Sequence, residues 1–257
     1  HGDSRKRYEP LILEKDGLRV AIFNACESQN GVDSNGEEAL LNWLVSPHLR
    51  NAILSVKNNV DWCVLVAHAG LENVNFPIVQ WVNIYEGLCD IGVDVIIGHH
   101  PHVPQGIAKY KSSYIFYSLG NFFIDQLHYQ SKSDDSFSVV LNLSEGDLSY
   151  EIIYHKKCNG KLQMVRKEEV DFDLYELNEY LLDRKKILES SKKISNEIFE
   201  IYLKRYLFHS VHGSSIKRRV YNLIFRPKYI ENRELLEHLF KVETNRFIIT
   251  TALTQHD

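Results

Sequence analysis

The chain has 257 residues, 44% of them hydrophobic, which is enough for one large α/β domain or for a domain with an appendage. A net charge of −4 excludes a globally basic nucleic-acid binder, so any affinity for a polyanion has to come from a local patch. Cys26, Cys63, Cys89 and Cys158 stand at wide, irregular spacings that fit neither a zinc ribbon nor a disulfide framework, and they read as buried thiols.

In chain order, residues 1–8 are polar and basic. Two strands follow, Glu9–Glu14 and Leu18–Ala25, joined by the hairpin signal Lys15-Asp16-Gly17. Asn24–Gly36 reads as a polar loop and Glu37–Asn58 as helix, with a break allowed at Ser46-Pro47. Trp62–Ala67 is a short buried strand running into His68-Ala69-Gly70-Leu71-Glu72. Pro77 opens a helix with an apolar face at Ile78, Val82, Tyr85, Leu88 and Cys89, and Gly92 is placed to cap it. The next strand, Val93–Ile97, breaks at Gly98 into His99, His100 and His102.

That β-α-β unit carries the first functional expectation. A crossover helix of about a dozen residues implies parallel strands, whose carboxyl ends share one sheet edge. His68 then converges with the histidines that lie 31 to 34 residues downstream. Neutral imidazoles bind transition metals and carboxylates complete harder sites, so His68, His100, His102 and Glu72 form a partial ligand set. Glu72 is equally readable as a ligand, as a partner fixing an imidazole tautomer, as a general acid or as an exposed loop carboxylate. Asn121 could bond a substrate oxygen or simply be a turn residue after Gly120. Asp90 and Asp94 lie away from the strand's carboxyl end, and Asp125 is loosely placed. His99 reads as a strand-terminal histidine; His128, His155, His209, His212, His238 and His256 read as structural or exposed.

Downstream, Ser113–Tyr117 is another strand. Ser136–Leu143, Leu148–His155 and Lys161–Lys167 form an antiparallel meander with turns at Ser144-Glu145-Gly146-Asp147 and Cys158-Asn159-Gly160. From about Asp173 the chain is expected to be helical, over Leu174–Leu188, Ile194–Phe208, Arg233–Phe240 and Thr244–Leu253. Residues 184–228 hold 12 Lys or Arg against 3 Glu, a local net of +9. Such runs are usually solvated helix faces, and the sharper alternative is a docking surface for an acidic membrane, partner or polyanion.

Three motifs in order, H-A-G-L-E at 68–72, D-V-I-I-G-H-H-P-H-V at 94–103 and Y-S-L-G-N-F at 117–122, resemble the poly-γ-glutamate capsule synthesis proteins of the CapA type, in the calcineurin-like metallophosphatase superfamily. The resemblance covers roughly residues 9–167. It implies a metallophosphatase-like α/β fold of two packed sheets flanked by helices over residues 1–170, with a helical, locally basic appendage over 171–257. It also implies metal ligation by His68, His100 and His102, with Glu72 in or beside the site and Asn121 in a family motif. The cofactor would be divalent transition metal, Mn, Fe or Zn, with two ions in the complete protein.

Family members begin with a Gly-Asp strand and with Asn-Leu-Glu and Asn-Asn-His segments, none of which occurs here before Glu9. With no initial methionine, the chain is therefore expected to be cut from something longer, N-terminally incomplete and inactive alone. The implied function is metal-dependent hydrolysis of phosphoester-like bonds in capsule or exopolymer biosynthesis. The alternative is a non-catalytic assembly component that binds polymer or synthase. Expected partners are an anionic polymer or phosphorylated precursor, and a capsule synthase complex or membrane surface met through the basic 184–228 region; nucleic acid is not among them. The expected location is cytoplasmic or peripheral to the bacterial inner membrane.

Overall fold

In the computed structural model the described residues are 7–28, 42–124, 135–202 and 242–254. The chain divides into two compact units, residues 1–27 with 31–188, and residues 28–30 with 189–257. The expected boundary at 170/171 falls inside the first unit.

Among the described residues of the first unit, nine strands form two sheets. β1 (Leu11–Lys15), β2 (Leu18–Cys26), β3 (Trp62–His68), β4 (Val95–His99), β5 (Ile107–Tyr110) and β6 (Ser113–Phe116) make a six-stranded sheet in the order β1-β2-β3-β4-β6-β5. β1 pairs antiparallel with β2 through the turn at Asp16 and Gly17, both at positive φ as a tight hairpin requires. β2, β3, β4 and β6 are mutually parallel. The second sheet is the antiparallel meander β7 (Asp135–Ser144), β8 (Asp147–Cys158) and β9 (Lys161–Val165).

Side chains alternate across a strand, and the parallel strands are apolar on both faces. One set, Val20, Ile22, Val64, Val95, Ile97 and Phe116, packs with Phe137, Val139, Tyr150 and Ile152 of the meander. Tyr150 meets Tyr114 and Phe116 edge-on at 5.2 and 5.0 Å between ring centroids, which closes the sandwich. The alternate set, Ala21, Phe23, Ala25, Cys63, Leu65, Ala67 and Ile96, is buried as well. The crossover helices α1 (Pro47–Val56) and α2 (Val79–Cys89) add Leu49, Ile53, Trp81, Val82, Tyr85 and Leu88 to the core. Each such apolar side chain contributes about 1.5–3 kcal/mol by leaving water. The fold is thus mixed α/β, two packed sheets with flanking helices.

Several expectations change. The helix expected over 37–58 begins only at Pro47, because Ser46 caps it by accepting the His48 amide at 3.1 Å; residues 29–41 lie outside the described residues. β4 does not break at Gly98 but continues through it to His99. A Cβ at Gly98 would stand 2.1 Å from the Tyr117 carbonyl oxygen, so this glycine permits close strand approach and makes no turn. β5 was not foreseen, being four residues after a proline-rich loop.

α3 (Leu174–Leu182) and α4 (Arg184–Tyr202) replace the helices expected over 174–188 and 194–208, with the break at the non-helical Asp183. α5 (Glu243–Leu253) matches its expected position. The helix expected at Arg233–Phe240, Asp125, the histidines 128, 209, 212, 238 and 256, and most of the basic 184–228 stretch lie outside the described residues. None of the four cysteines forms a disulfide, and only Cys63 is fully buried; Cys26, Cys89 and Cys158 are partly exposed. No helix among the described residues is long and apolar enough to cross a membrane.

Candidate metal centre

The parallel ladder delivers the site. In register, Cys26 stands opposite His68, and His68 opposite His99. Pairing runs one step past the strand ends: the Glu27 amide donates to His68 O and the Ala69 amide to His99 O, each at 3.0 Å. Three strand ends, 26–27, 68–69 and 99–100, therefore form one row at the carboxyl edge, the usual place for a ligand cleft in such sheets.

Beyond that row the loops are held in uncommon backbone conformations. His100 has φ 101° and His102 φ 63°, a region that side chains other than glycine enter at a cost of about 1–3 kcal/mol each. The Asn73 amide donates to Pro101 O at 2.8 Å, and a Cβ at Gly70 would meet the Pro101 ring at 2.9 Å. The β3 and β4 loops are thus latched together.

Among the described residues, Glu72, His100 and His102 each bring a possible donor atom within 4.8 Å of the others. Glu72 is exposed, His102 half-buried and His100 buried, so the triad runs inward from solvent. His68 lies beside it, its ring 4.9 Å from that of His100, without joining that triad. Asn121 Oδ1 stands 2.8 Å from His102 Nδ1; with the amide oxygen accepting, Nδ1 carries the hydrogen and the imidazole lone pair sits on Nε2. Sequence reading named all five residues, and the structure brings four of them together with His68 adjacent. Asp94 lies at the opposite edge, bonded to Lys57 and the Cys63 amide, each at 2.7 Å.

Burial disfavours the charged form of His68, His99 and His100. Burial, then the charges of His68 and His102, push His100 down to about 3. Burial, then His102, also lowers His68; burial, then His68, lowers His99. Neutral imidazole is the form that binds metal. His100 Nε2 is buried and makes no hydrogen bond with a described group, so the donor set suits a divalent transition ion.

One residue escaped sequence reading. Glu27 is fully buried, and its Oε1 lies 3.3 Å from His100 Nε2 and 3.3 Å from the Gly70 amide. It sits in a stretch read as polar loop. The signal that could have found it is β2 itself, an apolar strand parallel to β3 whose carboxyl end must reach the same edge.

The family described as Bacterial capsule synthesis protein PGA_cap matches residues 1–126. The chain is 46% identical over 136 residues to Capsule biosynthesis protein CapA of Bacillus anthracis, covering 49% of this chain and 32% of that protein. With PGA biosynthesis protein CapA of Bacillus subtilis (strain 168) it shares 30% identity over 172 residues, 65% of this chain and 40% of that one. It thus spans two fifths or less of the length of these curated relatives. A solved structure of a putative 5'-nucleotidase from Staphylococcus aureus aligns over 73% of this chain and 34% of its own, at TM-score 0.40 and 14% identity. All three motifs fall within the matched residues, and over residues 1–126 the chain is similar to the bacterial capsule synthesis protein family.

Proposed function

We propose that the protein is a metal-dependent hydrolase of phosphoester-like bonds in bacterial capsule or exopolymer biosynthesis, with the carboxyl edge of the parallel strands as its centre. The observation that carries this reading is the convergence of Glu72, His100 and His102 within 4.8 Å, backed by a buried imidazole nitrogen that makes no hydrogen bond with a described group. His100 and His102 would hold the ion, with His68 beside them and Glu72 as ligand or proton carrier. A divalent Mn, Fe or Zn ion bound there supplies Lewis acidity toward a phosphoryl oxygen and a water of lowered pKa.

The remaining work falls to the chain. Asn121 fixes the His102 tautomer, so a lone pair points away from Nδ1. Glu72, exposed at the mouth, is the group placed to take a proton from water or return one to a leaving oxygen. An anionic polymer or its phosphorylated precursor is the substrate class that this chemistry suits.

The test uses protein from the complete reading frame. Bound metal and turnover of an aryl phosphate are measured for wild type and for His100→Ala combined with His102→Ala. Stoichiometric metal and metal-dependent turnover, both lost in the variant, are expected. A metal-free wild type with undiminished polymer binding would instead establish a non-catalytic assembly component.

A further inference from the structure

We infer that Glu27 is a metal-ligating carboxylate of this centre, supplied by the end of β2 and paired with His100. The inference rests on the metal-binding reading above and adds a donor from a third parallel strand.

Geometry carries it. Glu27 Oε1 and His100 Nε2 stand 3.3 Å apart, with side chains 0% and 4% exposed. Two donors each about 2.1 Å from one tetrahedral ion stand about 3.4 Å apart. As a direct contact the pair is poor, because Nε2 makes no hydrogen bond with a described group despite its burial. An imidazole nitrogen and a carboxylate oxygen at ligand spacing in the interior are what two donors look like around a shared cation.

The carboxylate is also held in place. Its own amide extends the β2–β3 ladder to His68 O, and the Gly70 amide donates to the same Oε1 that faces His100. Both anchors belong to the row of strand ends that positions His68 and His100. Carboxylate with imidazole is a donor set for borderline divalent ions such as Mn²⁺, Fe²⁺, Co²⁺ or Zn²⁺. Glu27 meets His100, while the donor atoms of Glu72, His100 and His102 gather within 4.8 Å of one another without it, so His100 is the residue that the pair and the triad share.

Cobalt(II) is the probe. Complete protein is titrated with Co²⁺ and followed by visible absorption and by metal content after gel filtration, for wild type, Glu27→Gln, Glu27→Asp and the His100→Ala, His102→Ala pair. Glu27→Gln keeps the shape of the side chain and should weaken Co²⁺ binding by at least tenfold and change the intensity of its d–d bands. Glu27→Asp, which keeps the charge but shortens the reach, should fall between and carries the test if the glutamine variant does not fold. Wild type that takes up Co²⁺, with the histidine variant losing it and the folded Glu27 variants within twofold of wild type and spectrally identical, overturns this inference alone. A wild type that binds no Co²⁺, Mn²⁺ or Zn²⁺ overturns the hydrolase reading, and this one with it.

Discussion

The two edges of the parallel sheet hold carboxylates in opposite circumstances. At the amino edge, Asp94 Oδ2 accepts from Lys57 Nζ and from the Cys63 amide, each at 2.7 Å, and the group is closed by the fold itself. At the carboxyl edge, Glu27 is more deeply buried, yet it faces an imidazole nitrogen that makes no hydrogen bond with a described group, in a loop with two histidines at positive φ. Burial alone does not mark a functional acid. The difference is in what the carboxylate faces: a lysine and a backbone amide at Asp94, a buried imidazole nitrogen at Glu27.

That contrast predicts separable phenotypes. The largest effect belongs to the carboxyl edge, where His100→Ala with His102→Ala should weaken divalent-metal binding by more than about 100-fold, since even supporting groups of a metal site cost about 10–100-fold. Isothermal titration of wild type and variant checks this. Next comes the amino edge. Asp94→Ala removes the acceptor of a backbone amide and a lysine, and should lower unfolding free energy by about 1–3 kcal/mol while leaving metal affinity within twofold. Denaturant titration alongside metal titration tells whether the two edges are independent; a large loss of affinity in Asp94→Ala would break the comparison.

pH sharpens it further. His100 titrates at about 3 in the fold against an ordinary 6.5, so between those values the unfolded chain binds more protons and stability must fall as pH falls. His68 and His99, shifted downward too, act in the same direction. The metal-free protein should therefore lose thermal stability from pH 6.5 toward 3, and His100→Gln should flatten that slope in a melting series. The smallest effect is expected at Asn121. Asn121→Ala frees the His102 tautomer and should weaken metal binding about tenfold, with no change in unfolding free energy beyond about 1 kcal/mol.

How much of this could be read from residues alone differs between neighbours on the same edge. His68, His100 and His102 declare themselves, because a histidine directly after an apolar strand has few structural uses and the crossover between them is short. Glu27 does not, since it follows a strand that reads locally as half of a hairpin with β1. Only the parallel pairing of β2 with β3, a contact across about 40 residues, turns its position into a site position. Gly98 was legible as important and misread in role; the close passage of the Tyr117 carbonyl is a tertiary fact. Likewise the single helix expected over 174–188 contains no glycine or proline to announce the break at Asp183.

The bond from the Asn73 amide to Pro101 O joins loops that follow different strands. Glu72 is its immediate neighbour on one side and His100 on the other, so the outermost and one of the innermost members of the donor set cannot drift independently. An incoming ion would meet a mouth whose two lips are already pinned together.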